Sequence, residues 1–296
     1  MPSFVHTIPL YGRNLRVKCK ELDFISYKNL TKTIYNNQPE DINTYIDQIL
    51  ENLVVNVSVS DLDIIDKFII LGHVRDVAIS GEFALTSKCS ETGKDFTINV
   101  DLPSLVDAVN KIDLQKSYEV SASGVTVNFQ LPKSFNALEL SDTVSACLHS
   151  VTSKTGTEIE IPDYADRSKL LDKLPVKTLS EFERFLKQQS KELSSVPLFT
   201  YKSPYTDAAE MHQYSFSFFD DSILELLKLL FQEDLLQMYE FEYDIYNICR
   251  LPYGFVKDSS FSELQVMYNI EARRRAEAEN PQAAAAAAKP PQNYEQ

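Results

Sequence analysis

Apolar and polar residues alternate in three parts of the chain, and this pattern predicts three β-hairpins. The first covers residues 4–19, with its turn at 11–14 (YGRN). The second covers residues 83–102 around the turn from Cys89 to Lys94, and the third covers 118–131 around Ser123-Gly124. A period of two is typical of half-buried strands, and turn residues between two such runs indicate a hairpin. The first half of the chain is therefore predicted to contain antiparallel hairpins.

Apolar residues spaced three and four apart predict amphipathic helices between these hairpins. The run from Ile42 to Val54 keeps this spacing throughout. Two further helices are predicted to begin near Asp23 and Ser60, since Asp and Ser are favoured as helix N-caps. Another helix is predicted over residues 141–151.

Capping-box sequences predict three helices in the second half of the chain. Thr178, Ser222 and Ser260 each stand three residues before a Glu, the spacing with which two side chains cap a helix reciprocally. The helix from Ser222 is predicted to run towards Arg250, before Pro252 ends it. Short extended segments are predicted at 159–161 and within 197–219.

Hairpins and helices that do not strictly alternate predict the α+β fold class. We expect an N-terminal domain of antiparallel hairpins and amphipathic helices, followed by a mainly helical C-terminal region with short strands. The predicted domains are 1–155 and 156–279, with a boundary at Lys154-Thr155-Gly156. Residues 280–296 contain six consecutive alanines and no apolar periodicity, so they are predicted to form a disordered tail.

Composition narrows the classes of function. The chain has 296 residues, with 29 Lys and Arg against 43 Asp and Glu, for a net charge of −14. Binding to nucleic acid or to anionic lipid depends on basic residues, so we expect neither partner. No run of about 18 uncharged apolar residues is present, which argues against a membrane span. The first residues also lack the pattern of a signal peptide, and we expect an intracellular protein.

The sequence offers no established catalytic motif. The signatures of P-loop, dinucleotide-binding, nucleophile-elbow and zinc-protease sites all fail on spacing. Cys89 resembles half of a zinc knuckle, but Thr92 stands where the second thiolate is needed. We therefore predict no catalytic, metal or cofactor site. The alternative is an enzyme with a motif-free site, which would need His73 or His149 beside carboxylates in a cleft.

An acidic and aromatic segment is the candidate binding surface. Residues 220–244 contain eight acids against one lysine, a balance of −7. Their apolar residues cover more than one helix face, so the segment is either central core or partly a protein-binding surface. Tyrosine suits interfaces, because its ring packs while its hydroxyl stays in water. The predicted partner-binding residues are Tyr239, Phe241, Tyr243 and Tyr246.

Residues 62–89 (LDIIDKFIILGHVRDVAISGEFALTSKC) resemble a stretch of the baseplate hub assembly proteins of contractile-tailed, T-even-like bacteriophages. That stretch combines a helix bearing Asp and Arg, a turn ending in Gly-Glu, and a strand that leads to a loop with Cys. The matching residues are Asp66, Phe68, Leu71 and Arg75 in the helix, Gly81 and Glu82 in the turn, and Cys89 in the loop. The likeness covers roughly residues 5–150.

Asp66 and Arg75 lie nine residues apart, about two and a half helical turns, so they are too distant to pair along one helix. Each is therefore expected to anchor a neighbouring segment. Arg75 is expected either to cap helix carbonyl groups or to bind a carboxylate of a hairpin.

The resemblance implies a non-enzymatic protein of the phage tail baseplate hub, either a structural component or an assembly factor. Its partners would be other tail and baseplate proteins, with a homo-oligomer left open. It would occupy the host cytoplasm during assembly and, if retained, the baseplate of the virion. Two alternatives stay open beside the motif-free enzyme: a tail-assembly chaperone absent from the mature virion, and an adaptor directed at host proteins.

Overall fold

The computed structural model describes residues 5–36, 39–79, 82–89, 91–122, 124–135, 140–161, 164–194, 199–205, 211–214, 218–219, 227–228, 230–231 and 235–279. Within these residues, ten helices and small antiparallel sheets confirm the α+β class, and the C-terminal part is mostly helical. The predicted tail, the capping box at Ser222 and the residue Gly81 lie outside the described residues. The chain divides into a first unit (Met1–Glu21 and Thr33–Gln232) and a second unit (Leu22–Lys32 and Glu233–Gln296). The domain bounds at 155 and 279 stay predictions.

The first unit contains all the strands described. These are β1 (Val5–Leu10), β2 (Leu15–Lys20), β3 (Glu82–Lys88), β4 (Asp95–Asp101), β5 (Ser117–Ala122), β6 (Val125–Gln130), β7 (Leu148–Thr152), β8 (Glu158–Glu160), β9 (Phe199–Lys202) and β10 (Met211–Tyr214). After α1 (Phe24–Asn36), which begins in the second unit, its helices are α2 (Pro39–Leu53), α3 (Ile64–Ala78), α4 (Leu102–Asn110), α5 (Leu140–Cys147), α6 (Tyr164–Leu171) and α7 (Val176–Ser194).

The three hairpins that the alternation predicted are confirmed as β1–β2, β3–β4 and β5–β6. Strands β1–β2, β3–β4 and β9–β10 form antiparallel hairpins, and β5-β6-β7-β8 form a four-stranded antiparallel sheet in that order. Asn14 closes the first hairpin with φ of 49°, and Gly124 closes the β5–β6 turn with φ of 79°. Both values lie in the left-handed region, which glycine and asparagine tolerate better than other residues. The predicted turn residues therefore serve as turns.

Stacked aromatic rings join helix α7 to the four-stranded sheet. The rings of Phe129 on β6 and Phe182 on α7 lie 3.9 Å apart and are nearly parallel. Tyr118 on β5 and Phe185 on α7 stack in the same way at 4.5 Å. Phe129 and Phe182 are 0% exposed, so this layer is a centre of the core of the first unit.

Two predicted helix starts in the first unit are wrong. Helix α3 begins at Ile64, not at Ser60, because the Asp63 side chain caps it. Helix α7 begins at Val176, two residues before the predicted cap Thr178, whose backbone N–H donates to the Pro175 carbonyl instead. At α3 the error places the cap by residue type alone, where the neighbouring Asp63 has the right geometry.

The helix predicted over 141–151 is also wrong in its second half. Helix α5 ends at Cys147, and Leu148–Thr152 continue as strand β7, which pairs with β6. A short apolar run is compatible with either structure, and here the pairing partner decides. Helix α4 was missed altogether, although Asp101 caps it through the Ser104 N–H and Pro103 stands in its first turn.

Helices α3 and α4 are in contact where α3 has a glycine. A Cβ atom on Gly72 would overlap Cγ2 of Val106 on α4, a stiff β-branched side chain. We expect Gly72→Ala to lower the free energy of unfolding by about 1–3 kcal/mol through overpacking. This loss outweighs the gain of roughly 1 kcal/mol in helix propensity from glycine to alanine. Urea unfolding measures the change.

A second background tests the cause of that loss. In a Val106→Ala chain the overlap is removed, so Gly72→Ala is expected to be neutral or stabilising there. Equal destabilisation by Gly72→Ala in both backgrounds would show that the contact with Val106 is not the reason.

The second unit consists of the start of α1 with α8 (Leu235–Asn247), α9 (Tyr253–Asp258) and α10 (Phe261–Glu279). The rings of Phe24, Phe241 and Phe261 meet at its centre, with centroids 5.4–5.9 Å apart. The predicted cap Asp23 is confirmed, since its Oδ1 accepts the Ser26 N–H at 2.7 Å. The Ser260 cap is confirmed too, because its Oγ accepts the Glu263 N–H at 3.2 Å.

The helix predicted from Ser222 is described only in part. Residues 227–228 and 230–231 are helical, and helix α8 ends at Asn247, short of the predicted end near Arg250. Arg250 has φ of 54°, a left-handed conformation that no helix continues through. Within the described ranges, every helix is too short or too polar to cross a lipid bilayer.

Candidate functional site

Two buried aspartates cap the amino terminus of helix α3 reciprocally. Asp63 Oδ1 accepts the backbone N–H groups of Ile65 at 2.9 Å and of Asp66 at 3.0 Å. Asp66 Oδ2 accepts the Asp63 N–H at 3.2 Å. Each aspartate is only 2% exposed. The pair forms a capping box that satisfies donors which a helix start otherwise leaves without partners.

Two cations from distant segments neutralise these aspartates. Lys116, just before β5, places Nζ 2.7 Å from Asp63 Oδ2 and 3.2 Å from Asp66 Oδ1. Arg13, in the turn of the first hairpin, places Nη2 3.2 Å from Asp63 Oδ2 and Nε 2.5 Å from Asp66 Oδ2. We call Arg13, Asp63, Asp66 and Lys116 the charge cluster. Asp66 therefore anchors two neighbouring segments to α3, as its position on the helix led us to expect.

Burial and charge act in opposite directions on the two carboxyl groups of the charge cluster. Burial alone would raise the pKa of Asp63, but the ammonium of Lys116, the Asp66 contact and Arg13 together hold it below its usual value. The pKa of Asp66 is raised, first by burial and then by the negative charge of Asp63. The charge cluster contains two acidic and two basic residues, so their opposite charges can pair. Such pairing suits a cluster that holds separate segments of the chain together.

A cavity of about 460 Å³ adjoins the charge cluster. Its lining consists of Arg13, Leu15, Asp61, Asp63, Lys116, Ser117, Gln130, Leu131 and Lys133. The charges of Arg13 and Lys116 are already paired with aspartates of the cluster. Among the described residues that line this cavity, there is no cysteine or histidine that would make a nucleophile and base pair.

Three other residues of the resemblance lie in the core around α3. Phe68 is 0% exposed, and its ring meets that of Phe218 edge to face at 5.1 Å. Leu71 is buried as well. Arg75 is 3% exposed and its Nε donates to the Leu230 carbonyl, so it binds a backbone carbonyl in a helical stretch, one of the two expected modes. These residues hold the fold of the first unit together.

The turn and loop residues of the resemblance flank strand β3. Glu82 begins β3 and pairs in register with Asp101, while Gly81 lies outside the described residues. Cys89 is buried at the β3–β4 turn, where hydrogen bonds from Ser203 and Thr92 lower its pKa to about 7. Burial instead raises the pKa of Cys19 to about 11. Among the described residues no three His, Cys, Asp or Glu side chains are grouped as metal ligands.

Two histidines lie near each other and near acids. His6 Nε2 is 3.4 Å from Glu21 Oε1, and the His6 and His73 rings are 6.2 Å apart. Burial, followed by the charge of His6, lowers the pKa of His73, while Asp76 acts against both. His73 and Asp76 line a cavity of about 140 Å³. Histidines isolated from each other and from acids would have excluded the motif-free enzyme. His6 and His73 are not isolated in this way.

The four predicted partner-binding residues lie on different sides of helix α8. Tyr239 and Tyr243, four residues apart and so on one face, are 45% and 66% exposed. Phe241 instead packs against Phe24 and Phe261 in the core of the second unit. Tyr246 is half-buried, and burial raises its pKa. We call Tyr239 and Tyr243 the tyrosine surface.

A salt bridge borders the tyrosine surface. Lys28 on α1 places Nζ 2.8 Å from both carboxylate oxygens of Glu242 and 5.2 Å from the centroid of the Tyr239 ring. Glu240 lies beside them and is exposed. The charge of Glu242 is therefore paired with that of Lys28. The rings of Tyr239 and Tyr243 and the side chain of Glu240 are exposed to solvent.

Sequence reasoning missed most of the charge cluster. Asp63 could have been found, because it directly precedes an apolar run and has an acid three residues later, a local cap signal. Arg13 and Lys116 are 50 and 53 residues from Asp63, and no local pattern connects them to it. The buried Lys67, whose Nζ lies 2.7 Å from Asp47 Oδ1, gave no local signal either.

The chain matches the model of a known protein family. A family model described as "T4 bacteriophage base plate protein" matches residues 1–202, about two thirds of the chain. The matched range includes the whole charge cluster and helix α3. Comparisons with curated proteins and with solved structures found no significant match.

Proposed function

The chain belongs to the T4 bacteriophage base plate protein family, and we propose that it is a non-enzymatic component of the baseplate hub that works by binding other tail proteins. Membership confirms the resemblance at the level of phage baseplate proteins. The family match over residues 1–202 is the observation that carries the proposal. The finer assignment to the hub is supported by the resemblance of residues 62–89 to hub assembly proteins.

The buried polar groups of the first unit support a structural role. Asp63 and Asp66 both form ion pairs with Arg13 and Lys116, and both cap the start of α3. An acid–base catalyst needs a titratable group that faces its substrate, whereas these groups face each other. Buried ion pairs that join separate segments make the first unit rigid. A structural protein benefits from this, since a rigid surface loses little entropy on binding.

The tyrosine surface is the part of the second unit that we propose as a contact with another tail protein. Tyr239 and Tyr243 expose aromatic rings with hydroxyl groups, the residue type most often enriched where proteins bind each other. Glu240 adds a negative charge beside them. The complementary partner surface is apolar at its centre and basic at its rim.

Substitution of both tyrosines tests this contact in assembly. We expect Tyr239→Ser with Tyr243→Ser to reduce complete baseplates about tenfold or more, in cells infected by a phage whose own copy of the gene is disrupted. Electron microscopy counts the baseplates, and a thermal melt confirms that the variant folds. Tyr35→Ser is the matched control, because Tyr35 is also an exposed tyrosine on a helix (75%). Normal numbers of baseplates with the double variant would overturn the proposed contact.

A tail-assembly chaperone is the second candidate. The acidic balance of residues 220–244 favours it, because a strongly acidic segment repels other copies of itself while attracting a basic, aggregation-prone partner. Both candidates place the protein in the host cytoplasm during assembly. Mass spectrometry of purified virions separates them: a hub component is present in the particle, and a chaperone that leaves before maturation is absent.

A further inference from the structure

Helix α10 has one face packed within the second unit. Leu264 on this face is 0% exposed. One turn further, the Tyr268 hydroxyl donates to Asp244 Oδ2 at 3.4 Å. Arg275 Nη2 donates to the Ile248 carbonyl at 2.8 Å. These residues are spaced so that they share one side of the helix, which is the side that contacts α8.

The opposite side of α10 carries exposed aliphatic residues between charges of opposite sign. Val266 and Ile270 are 57% and 49% exposed, unusually high values for aliphatic residues next to each other on one helix face. Glu263 precedes this pair and Arg273 follows it. The spacings are three, four and three residues, the repeat with which helices pair along a seam. We call these four residues the α10 seam.

We infer that the α10 seam binds the same seam of a second copy of the chain, with the two helices antiparallel about residue 268. In this register Val266 faces Ile270 of the other copy, and Glu263 faces Arg273 of the other copy. The twofold axis repeats both contacts, so that four aliphatic side chains lie between two ion pairs. Such a self-complementary patch is what a twofold homodimer requires.

Charge complementarity selects this occupant and this direction. In a parallel pair, Glu263 would face Glu263 and Arg273 would face Arg273, and like charges would meet at both ends of the seam. The antiparallel pair places acid against base at both ends and aliphatic against aliphatic in the middle. Arg273, with 82% of its side chain exposed, already binds Glu277 at 3.0 Å and can reach outward from that helix face.

The size of the seam sets the strength of the dimer. Two short stretches of helix bury much less than the roughly 1,600 Å² of a standard stable interface. The dimer is therefore weak and dependent on concentration, and it would be favoured where several copies are held close together. This self-association is independent of the tyrosine surface on α8.

Sedimentation velocity of the full chain over a range of concentrations tests the dimer. The wild-type chain is expected to shift from monomer to dimer as concentration rises. Ile270→Lys is expected to keep the chain monomeric, because it places a charge in the middle of the seam. Gln265→Lys is the control, since it adds the same charge to the same helix off the seam. A wild-type chain that stays monomeric at every concentration, or equal effects of the two lysines, would overturn the inference.

A charge swap tests the antiparallel register and excludes a folding defect as the cause. Glu263→Arg and Arg273→Glu alone are each expected to weaken the dimer roughly tenfold, because each places two like-charge pairs in the interface. The chain with both substitutions regains the opposite-charge pairs and is expected to return to near the wild-type dissociation constant. A double variant no stronger than the single variants would overturn the register. Loss of the dimer with normal baseplate assembly would leave the proposed function intact.

Discussion

Replacing Asp63 with alanine is expected to lower the free energy of unfolding by about 3–5 kcal/mol. The substitution removes the cap of α3 and leaves Arg13 and Lys116 with a single buried carboxylate between them. Loss of a helix cap alone costs about 1 kcal/mol, and an uncompensated charge near the core costs more. Chemical denaturation monitored by circular dichroism measures the change.

Asp61→Ala is the matched control for this prediction. Asp61 lies two residues away and lines the same cavity, but it is exposed. Removing it is expected to change the free energy of unfolding by no more than about 0.5 kcal/mol. If the two alanine variants were equally stable, the charge cluster would not stabilise the fold of the first unit.

The contribution of Asp63 also depends on pH. Its pKa is held below the usual value in the folded chain, so its stabilising effect is complete above the ordinary carboxyl pKa and is lost as the pH falls through the folded value. The difference in stability between wild type and Asp63→Ala is therefore expected to shrink on acidification from pH 7 towards strongly acidic pH. The raised pKa of Asp66 has the opposite sign, because protonation relieves a buried negative charge there.

Phe182→Ala is expected to destabilise the first unit by about 3–5 kcal/mol. The Phe182 ring is 0% exposed and stacks on Phe129 at 3.9 Å, so its removal leaves a cavity between α7 and the four-stranded sheet. Val176→Ala serves as the control, because Val176 lies on the same helix and is 79% exposed. Urea unfolding distinguishes the two, and a Phe182→Ala chain as stable as the control would contradict the assignment of this layer to the core.

Local signals account for the elements that were predicted well. The turn residues Asn14 and Gly124 define their hairpins through their own backbone conformation, and Asp23 and Ser260 cap helices that begin next to them. Each of these features involves residues within a few positions of each other. A single sequence contains that information directly.

Non-local contacts decided the elements and sites that were not predicted. Residues 148–152 form a strand because β6 lies beside them, which their own pattern does not reveal. The charge cluster joins three segments that are 50 or more residues apart. On α8 the aromatic pattern did not separate the half-buried Phe241 ring, which packs against Phe24 and Phe261, from the exposed Tyr243 ring. The positions of Phe24 and Phe261 decide which side of the helix is covered.

The proposed role of this chain is to help build the phage baseplate through contacts between proteins. Its most direct test is an assembly reaction in extracts of cells infected by a phage that lacks the chain, with complete baseplates counted by electron microscopy before and after the purified chain is added. We expect almost no complete baseplates at first and a rise in proportion to the added chain. Normal numbers of complete baseplates in the extract without the chain would contradict it.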